Sequence, residues 1–247
     1  RAFLKRTALS SAALGMGFWG GTGAPAAAAP RTRADVYGDA RNIIFLVVDG
    51  MSQGTLTMAD QLMQRHQNRT SRWIDLYREE GYDARAFMDM APRNSIVTGS
   101  AAAASSWGSG HRVDNTVLNM APDGTRHRTI CQIFRDACKA TGLVTTARIT
   151  HATPAGFSVN MPQRWMEDEI AAQYLERGYD LLMGGGARHF TAEGRDDNQN
   201  LFANYRDAGY RVIRDRGALD EAARAEKVLG VFYDSHMPYD IDRQNID

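Results

Sequence analysis

The sequence has no excess of charge of either sign. Lys plus Arg number 29 and Asp plus Glu number 29, so the 247 residues carry no net charge at neutral pH. That removes the electrostatic case for nucleic acid or an anionic membrane surface as a partner. Cysteine is scarce, with only Cys131 and Cys138, both inside the helical-looking stretch Arg128–Thr141. Seven residues along a helix hold two Cα atoms roughly 10 Å apart, too far for a disulfide between them. Neither cysteine sits at a metal-ligand spacing, so both read as buried core thiols. A membrane-spanning run is also missing, because the apolar stretch Ala8 to Trp19 is too short for a stable anchor. No internal repeat is present.

What the N-terminus does have is the order of an export signal. Arg1-Ala2-Phe3-Leu4-Lys5-Arg6 is charged, Ala8 to Trp19 is apolar, and Ala26 to Pro30 offers the small residues a signal peptidase cuts. Arg-x-Phe-Leu-Lys resembles the second half of a twin-arginine signal, which places the protein in the periplasm or outside the cell. An ordinary secretory signal is the alternative. Residues 1–30 are therefore expected to be a signal peptide and 31–247 the N-terminal part of a catalytic domain.

From Asn42 onward the chain alternates strand-like and helix-like segments, and 43% apolar residues suffice for a sizeable core. Asn42–Val48 is a continuous apolar run ended by Asp49-Gly50, as expected of a strand buried on both faces. Helices are predicted over Thr55–His66, Trp73–Arg78, from Ala101, and over Thr129–Ala140, Trp165–Arg177, Leu201–Ala208 and Leu219–Ala225. Strands are predicted over Leu143–Ile149, Tyr179–Met183, Tyr210–Ile213 and Val228–Phe232. This rhythm specifies an α/β fold, a mixed and mainly parallel sheet sandwiched between helix layers.

Five places on that frame can carry chemistry. Asp49 follows a strand, and open α/β sheets bind ligands beyond their strands' carboxyl ends; alone, Asp-Gly also suits a plain turn. Ser100, in Val97-Thr-Gly-Ser-Ala-Ala-Ala-Ala104, stands where an extended segment yields to a helix, beside unpaired backbone N–H groups that suit an anion. Alone, it also suits a helix N-cap. His151 and Thr153 follow a strand at period-two spacing, which would aim both at one side. A Thr hydroxyl can ligate a hard cation such as Mg²⁺, and a hydrogen-bonded His in a Pro-terminated loop is the alternative. Arg164 can clamp phosphate oxygens bidentately or be a solvated surface residue. Gly184-Gly185-Gly186 suits a phosphate cradle or, more ordinarily, a turn.

Taken in order, these blocks and Leu182-Met-Gly-Gly-Gly-Ala-Arg188 resemble the alkaline phosphatase family, from about Asn42 to about Arg188. The resemblance implies a phosphate monoester hydrolase working through a phosphoserine, with two zinc ions and one magnesium. It implies that Asp49 bridges zinc and magnesium, that Ser100 is the nucleophile and a zinc ligand, and that Thr153 is a magnesium ligand. Arg164 would hold the non-bridging phosphate oxygens, and His151 would lie by the magnesium. Small phosphate monoesters would be its substrates, and a homodimer of the full-length protein is left open. Two features depart from the family: Gly99 stands where many members have an Asp that orients the arginine, and the remaining metal ligands have no counterpart after Arg188. The expectation is thus a fragment, itself inactive. A phosphodiesterase or sulfatase-like relative, or a secreted phosphate- or metal-binding protein without turnover, are the rival readings.

Overall fold

A computed structural model describes residues 41–79 and 86–243. The expected signal peptide lies outside the described residues. Contacts divide the chain into Arg1–Val47 and Val48–Asp247. Of the first unit residues 41–47 are described, and none of them is in a strand. Ile44 and Leu46 are 83% and 78% exposed, which corrects the expectation of a strand buried on both faces. Such burial needs neighbours on both edges and layers on both sides, and the sequence pattern cannot supply them by itself.

The second unit opens with helices α1 (Gln53–Gln67) and α2 (Arg72–Arg78), each capped by a serine hydroxyl, Ser52 and Ser71. Helix α3 (Ser100–Ser109) follows the extended residue Gly99 and ends on left-handed Gly110. Helix α4 (Ile130–Asp136) starts in a capping box of Thr129 and Gln132. It ends four residues earlier than the amphipathic pattern implies, and Cys138 lies beyond it at φ 56°. Cys131 is buried there, its thiol pushed up to about 12 by desolvation. Cys138 is exposed, so the reading of both as core thiols holds for one.

Then come β1 (Gly142–Arg148), α5 (Ala152–Gly156), α6 (Glu167–Arg177), β2 (Leu181–Gly185), α7 (Leu201–Asp207), β3 (Arg211–Ile213), α8 (Leu219–Ala222), β4 (Val228–Val231) and α9 (Asp240–Arg243). The sheet order is β1-β2-β4-β3 and every pairing is parallel. Parallel neighbours require crossovers, which α5 with α6, α7 and α8 provide. The fold is therefore α/β with a parallel sheet, as the alternation of segments predicts.

Its core is aromatic, with Tyr174, Tyr179, Tyr205 and Phe190 fully buried beside Leu182 and Leu229. Buried phenols need acceptors, and each finds a carbonyl: Tyr174 donates to Ile149 O at 2.9 Å and Tyr205 to Ala171 O at 3.0 Å. The first of these pins α6 beneath the carboxyl end of β1.

Candidate active site

The site begins with how closely α3 and α5 cross. A Cβ on Gly156 would come within 2.8 Å of the Ala104 carbonyl carbon, and one on Gly108 would overlap the Gly156 carbonyl. Only small residues permit that approach, which is what the alanine run of α3 supplies: Ala101, Ala102 and Ala104 are buried. The crossing sets the first turns of both helices side by side. Ser100 opens one, and Thr153 lies in the first turn of the other.

Both hydroxyls meet Asp49. Ser100 Oγ donates to Asp49 Oδ2 at 2.8 Å, and Thr153 Oγ1 donates to the same oxygen at 2.8 Å. These partners are 51 and 104 positions from Asp49 in the chain. The segment before Ser100 is fixed by Asn115, whose Oδ1 accepts from Gly99 N–H at 2.9 Å and whose Nδ2 donates to Val97 O at 2.8 Å. Nothing in the sequence marks Asn115 except its place just past the glycine that ends α3.

His151 and Thr153 do not share a strand face. His151 is the N-cap of α5 and Thr153 lies inside that helix, so the two side chains diverge. Pro154 belongs to the first turn, where its missing N–H costs nothing. Thr153 turns to Asp49, while His151 Nε2 meets Arg164 Nη2 at 2.8 Å. Burial first, and then the Arg164 guanidinium, push His151 down to about 4. Its imidazole is therefore neutral at neutral and alkaline pH and accepts at Nε2. The Arg164 backbone is held as well, its N–H donating to Thr116 O at 2.8 Å. The structure thus forms two groups, Asp49–Ser100–Thr153 and His151–Arg164, joined through the start of α5.

The glycine run does not cradle an anion. Gly186 N–H donates to Tyr233 O and Ser235 O at 2.9 Å each, and Ala187 N–H also donates to Tyr233 O. These donors are spent on the loop after β4. A Cβ at Gly185 would overlap the Ser235 carbonyl, so the glycines let that loop close onto the carboxyl end of β2.

A second network, not anticipated from the sequence, underlies His151. Arg148, the last residue of β1, forms a bidentate pair with Glu167 at 2.8 and 2.6 Å. Thr150 Oγ1 donates to the same carboxylate at 2.6 Å. Glu167 is buried; desolvation pushes its pKa upward, but the Arg148 and Thr150 hydrogen bonds outweigh that and leave it below the usual value. The available signal was position, since Arg148 ends a strand and Glu167 opens a helix.

Asp49 is exposed and Ser100, Thr153, His151 and Arg164 are half-buried. Two cavities of about 280 and 430 Å³ lie elsewhere, lined by none of these five. One carboxylate and two hydroxyls make an all-oxygen donor set, which fits a hard cation such as Mg²⁺. Zinc favours nitrogen, sulfur and carboxylate donors, and no group of three or more His, Cys, Asp or Glu is gathered among the described residues.

Comparison with known proteins gives this geometry a context. A family model described as alkaline phosphatase matches residues 40–247. The repressible alkaline phosphatase of Saccharomyces cerevisiae is 33% identical over 225 residues, 82% of this chain and 39% of the yeast protein. The crystal structure of Thermus thermophilus alkaline phosphatase superposes with a TM-score of 0.75 at 36% identity, covering 79% of this chain and 40% of that one. A variant of the alkaline phosphatase of bacterium TAB5, with Mg bound in its M3 site, matches with a TM-score of 0.63 over 73% of this chain and 51% of that one. At 24% identity it speaks for the fold alone. The chain spans about 40% of the length of the yeast and Thermus proteins.

Proposed function

The chain belongs to the alkaline phosphatase family, and from that premise we propose that the whole protein hydrolyses phosphate monoesters through a phosphoserine on Ser100. The observation that carries this reading is the convergence of Ser100 and Thr153 on one oxygen of Asp49. The metals in this reading come from the sequence resemblance, and the all-oxygen donor set fits one of them, a hard cation such as Mg²⁺. Asp49 and Thr153 would hold the magnesium here, with His151 beside it. Asp49 and Ser100 would give zinc only part of its donor set, since no group of three or more His, Cys, Asp or Glu is gathered among the described residues. The reading takes two zinc ions and one magnesium; when bound they neutralise phosphate charge and lower the pKa of an oxygen nucleophile.

The chain's own groups do the rest. Ser100 Oγ directs its proton at Asp49 Oδ2, which leaves its lone pairs free to face phosphorus. Ser100 is the first residue of α3, so N–H groups of that helix's first turn lack intrahelical partners and suit phosphate oxygens. Arg164 offers a planar fork to the non-bridging oxygens. Attack forms the bond from Ser100 Oγ to phosphorus and breaks the ester P–O bond, and the proton leaving Ser100 reaches the departing oxygen through solvent, releasing the alcohol. Water then attacks phosphorus, the Ser100 Oγ–P bond breaks, inorganic phosphate leaves, and a proton of that water restores the Ser100 hydroxyl.

Export by a twin-arginine signal to the periplasm or beyond completes the proposal. Among the described residues no helix is long and apolar enough to cross a membrane. The test uses the full-length protein supplied with zinc and magnesium. Acid quenching during turnover of radiolabelled phosphate ester should leave label on the peptide containing Ser100. Ser100→Ala should lose label and at least roughly 10³-fold of kcat. Label on another residue, or an active Ser100→Ala, would overturn the assignment.

A further inference from the structure

Arg164 is held by His151, and His151 is itself held by the loop that follows β4. The His236 ring stands edge-on to the His151 ring, 5.4 Å between centroids at 73°. Edge-to-face contacts of this kind have a preferred geometry, so each ring limits the other's rotation. His236 is in turn fixed by Arg148, whose Nη1 lies 2.7 Å from Nε2 and whose backbone N–H lies 3.2 Å from Nδ1. A neutral imidazole accepts at one nitrogen only, and the shorter, charge-assisted contact to the guanidinium is the stronger. Arg148 cannot follow a moving ring, because Glu167 grips its other edge at two points. The loop is anchored too, through the Gly186 N–H donated to Ser235 O, next to His236, and the Met237 N–H donated to Thr146 O at 3.0 Å.

From this chain of contacts we infer that His236 is a positioning residue for the phosphate clamp, acting through His151 on Arg164. It touches no reacting atom. Its effect is to keep His151 Nε2 where Arg164 can use it, so that the guanidinium is oriented before phosphate arrives. Pre-orientation of a flexible arginine strengthens ligand binding by removing an ordering cost. It should therefore act on phosphate affinity more than on the chemical step. Position 99 bears on the same point: Gly99 has no side chain to orient Arg164, and in this chain the contact that does so comes from His151. The inference rests on the function proposed above, and its test is arranged to fail separately from that function.

In the metal-loaded full-length protein, inorganic phosphate is titrated calorimetrically and as a competitive inhibitor. His236→Ala should raise the phosphate dissociation constant, the Ki and the KM by about three- to tenfold, while kcat changes less than twofold. His236→Gln, whose side-chain oxygen can accept from Arg148, should recover part of the loss. In an Arg164→Ala background His236→Ala should add nothing, since there is no clamp left to orient. Zinc and magnesium content and melting temperature should match wild type. An unchanged phosphate affinity, a loss fully additive with Arg164→Ala, or a loss that tracks metal content would each overturn the inference. If Arg164→Ala alone leaves phosphate binding intact, it is the proposed function that fails.

Discussion

Helices α1 and α3 lie in the same compact unit and hold their residues very differently. In α1, 15 residues long, the one buried residue is Asp60. In α3, 10 residues long, Ala101, Ala102, Ala104, Ser105, Ser106 and Gly108 are all buried. Asp49 precedes the first helix, and Ser100 opens the second. The candidate site therefore joins a loosely packed stretch to a close-packed helix crossing. Two hydroxyl hydrogen bonds to Asp49 Oδ2 are what join them. Substitutions near Asp49 should thus alter chemistry without altering stability. Those in the crossing should do the reverse.

The largest effect should come from Asp49→Asn. Asn keeps the shape but loses the negative charge that receives two hydroxyl donors. In the metal-loaded full-length protein kcat/KM should fall by roughly 10²–10³-fold. The side chain is exposed, so with metal removed the unfolding free energy should stay within about 0.5 kcal/mol of wild type. Steady-state kinetics on the metal-loaded protein and urea unfolding on the metal-free protein give the two numbers. A stability loss above about 2 kcal/mol would mean that Asp49 is structural and that the two halves are not distinct.

Next in size is a matched pair of glycine substitutions, one in each region. Gly156→Ala puts its Cβ within 2.8 Å of backbone in α3, and backbone cannot step aside. It should destabilise by about 2–3 kcal/mol. Gly54→Ala in α1 meets nothing nearer than Ser52 Oγ at 3.7 Å. With helical φ already in place it should stabilise by about 0.5 kcal/mol. Equal shifts in the two melting curves would erase the distinction between the regions.

Much of this division was legible beforehand, for reasons of range. Helix and strand rhythm is local, so α3, α6, α7 and the four strands lie within a few residues of their predicted places. Ser100 was legible because an extended segment running into alanines marks a helix start. Asn42–Val48 was misread because apolar composition states what a segment could bury, not what is there to bury it. His151 and Thr153 were misread because two residues apart suits a strand and also the first turn of a helix. Pro154 was the clue that favoured the helix. Arg148 and Glu167 were legible only as a strand end and a helix start, and His236 and Asn115 were not legible at all. Each functions by pairing with a residue far away in sequence, and a lone Arg, Glu, His or Asn carries no mark of its partner.

The smallest effect, and the one that sharpens the comparison most, concerns Gly99. It sits at the N-cap of α3 with φ −102°, a conformation open to any residue. A Cβ there would touch only Asn115 Oδ1 at an ordinary 3.5 Å, so Asp fits without strain. The new carboxylate could pair with Arg164 and hold its fork, which would tighten phosphate binding. Two things limit the gain. His151 already holds Arg164 at 2.8 Å, so little ordering cost remains to be removed. The carboxylate would also accept from free N–H groups of α3, as N-cap aspartates do, and would repel the phosphate those groups favour. Gly99→Asp should therefore lower the phosphate Ki by only about two- to threefold, under 1 kcal/mol, with kcat equal or lower because product leaves more slowly. If His151 is the working tether, the gain should grow when His236→Ala is present, since a loosened His151 leaves more for the carboxylate to do. A Ki that is unchanged or weaker in both backgrounds would mean that Arg164 does not hold phosphate from this side.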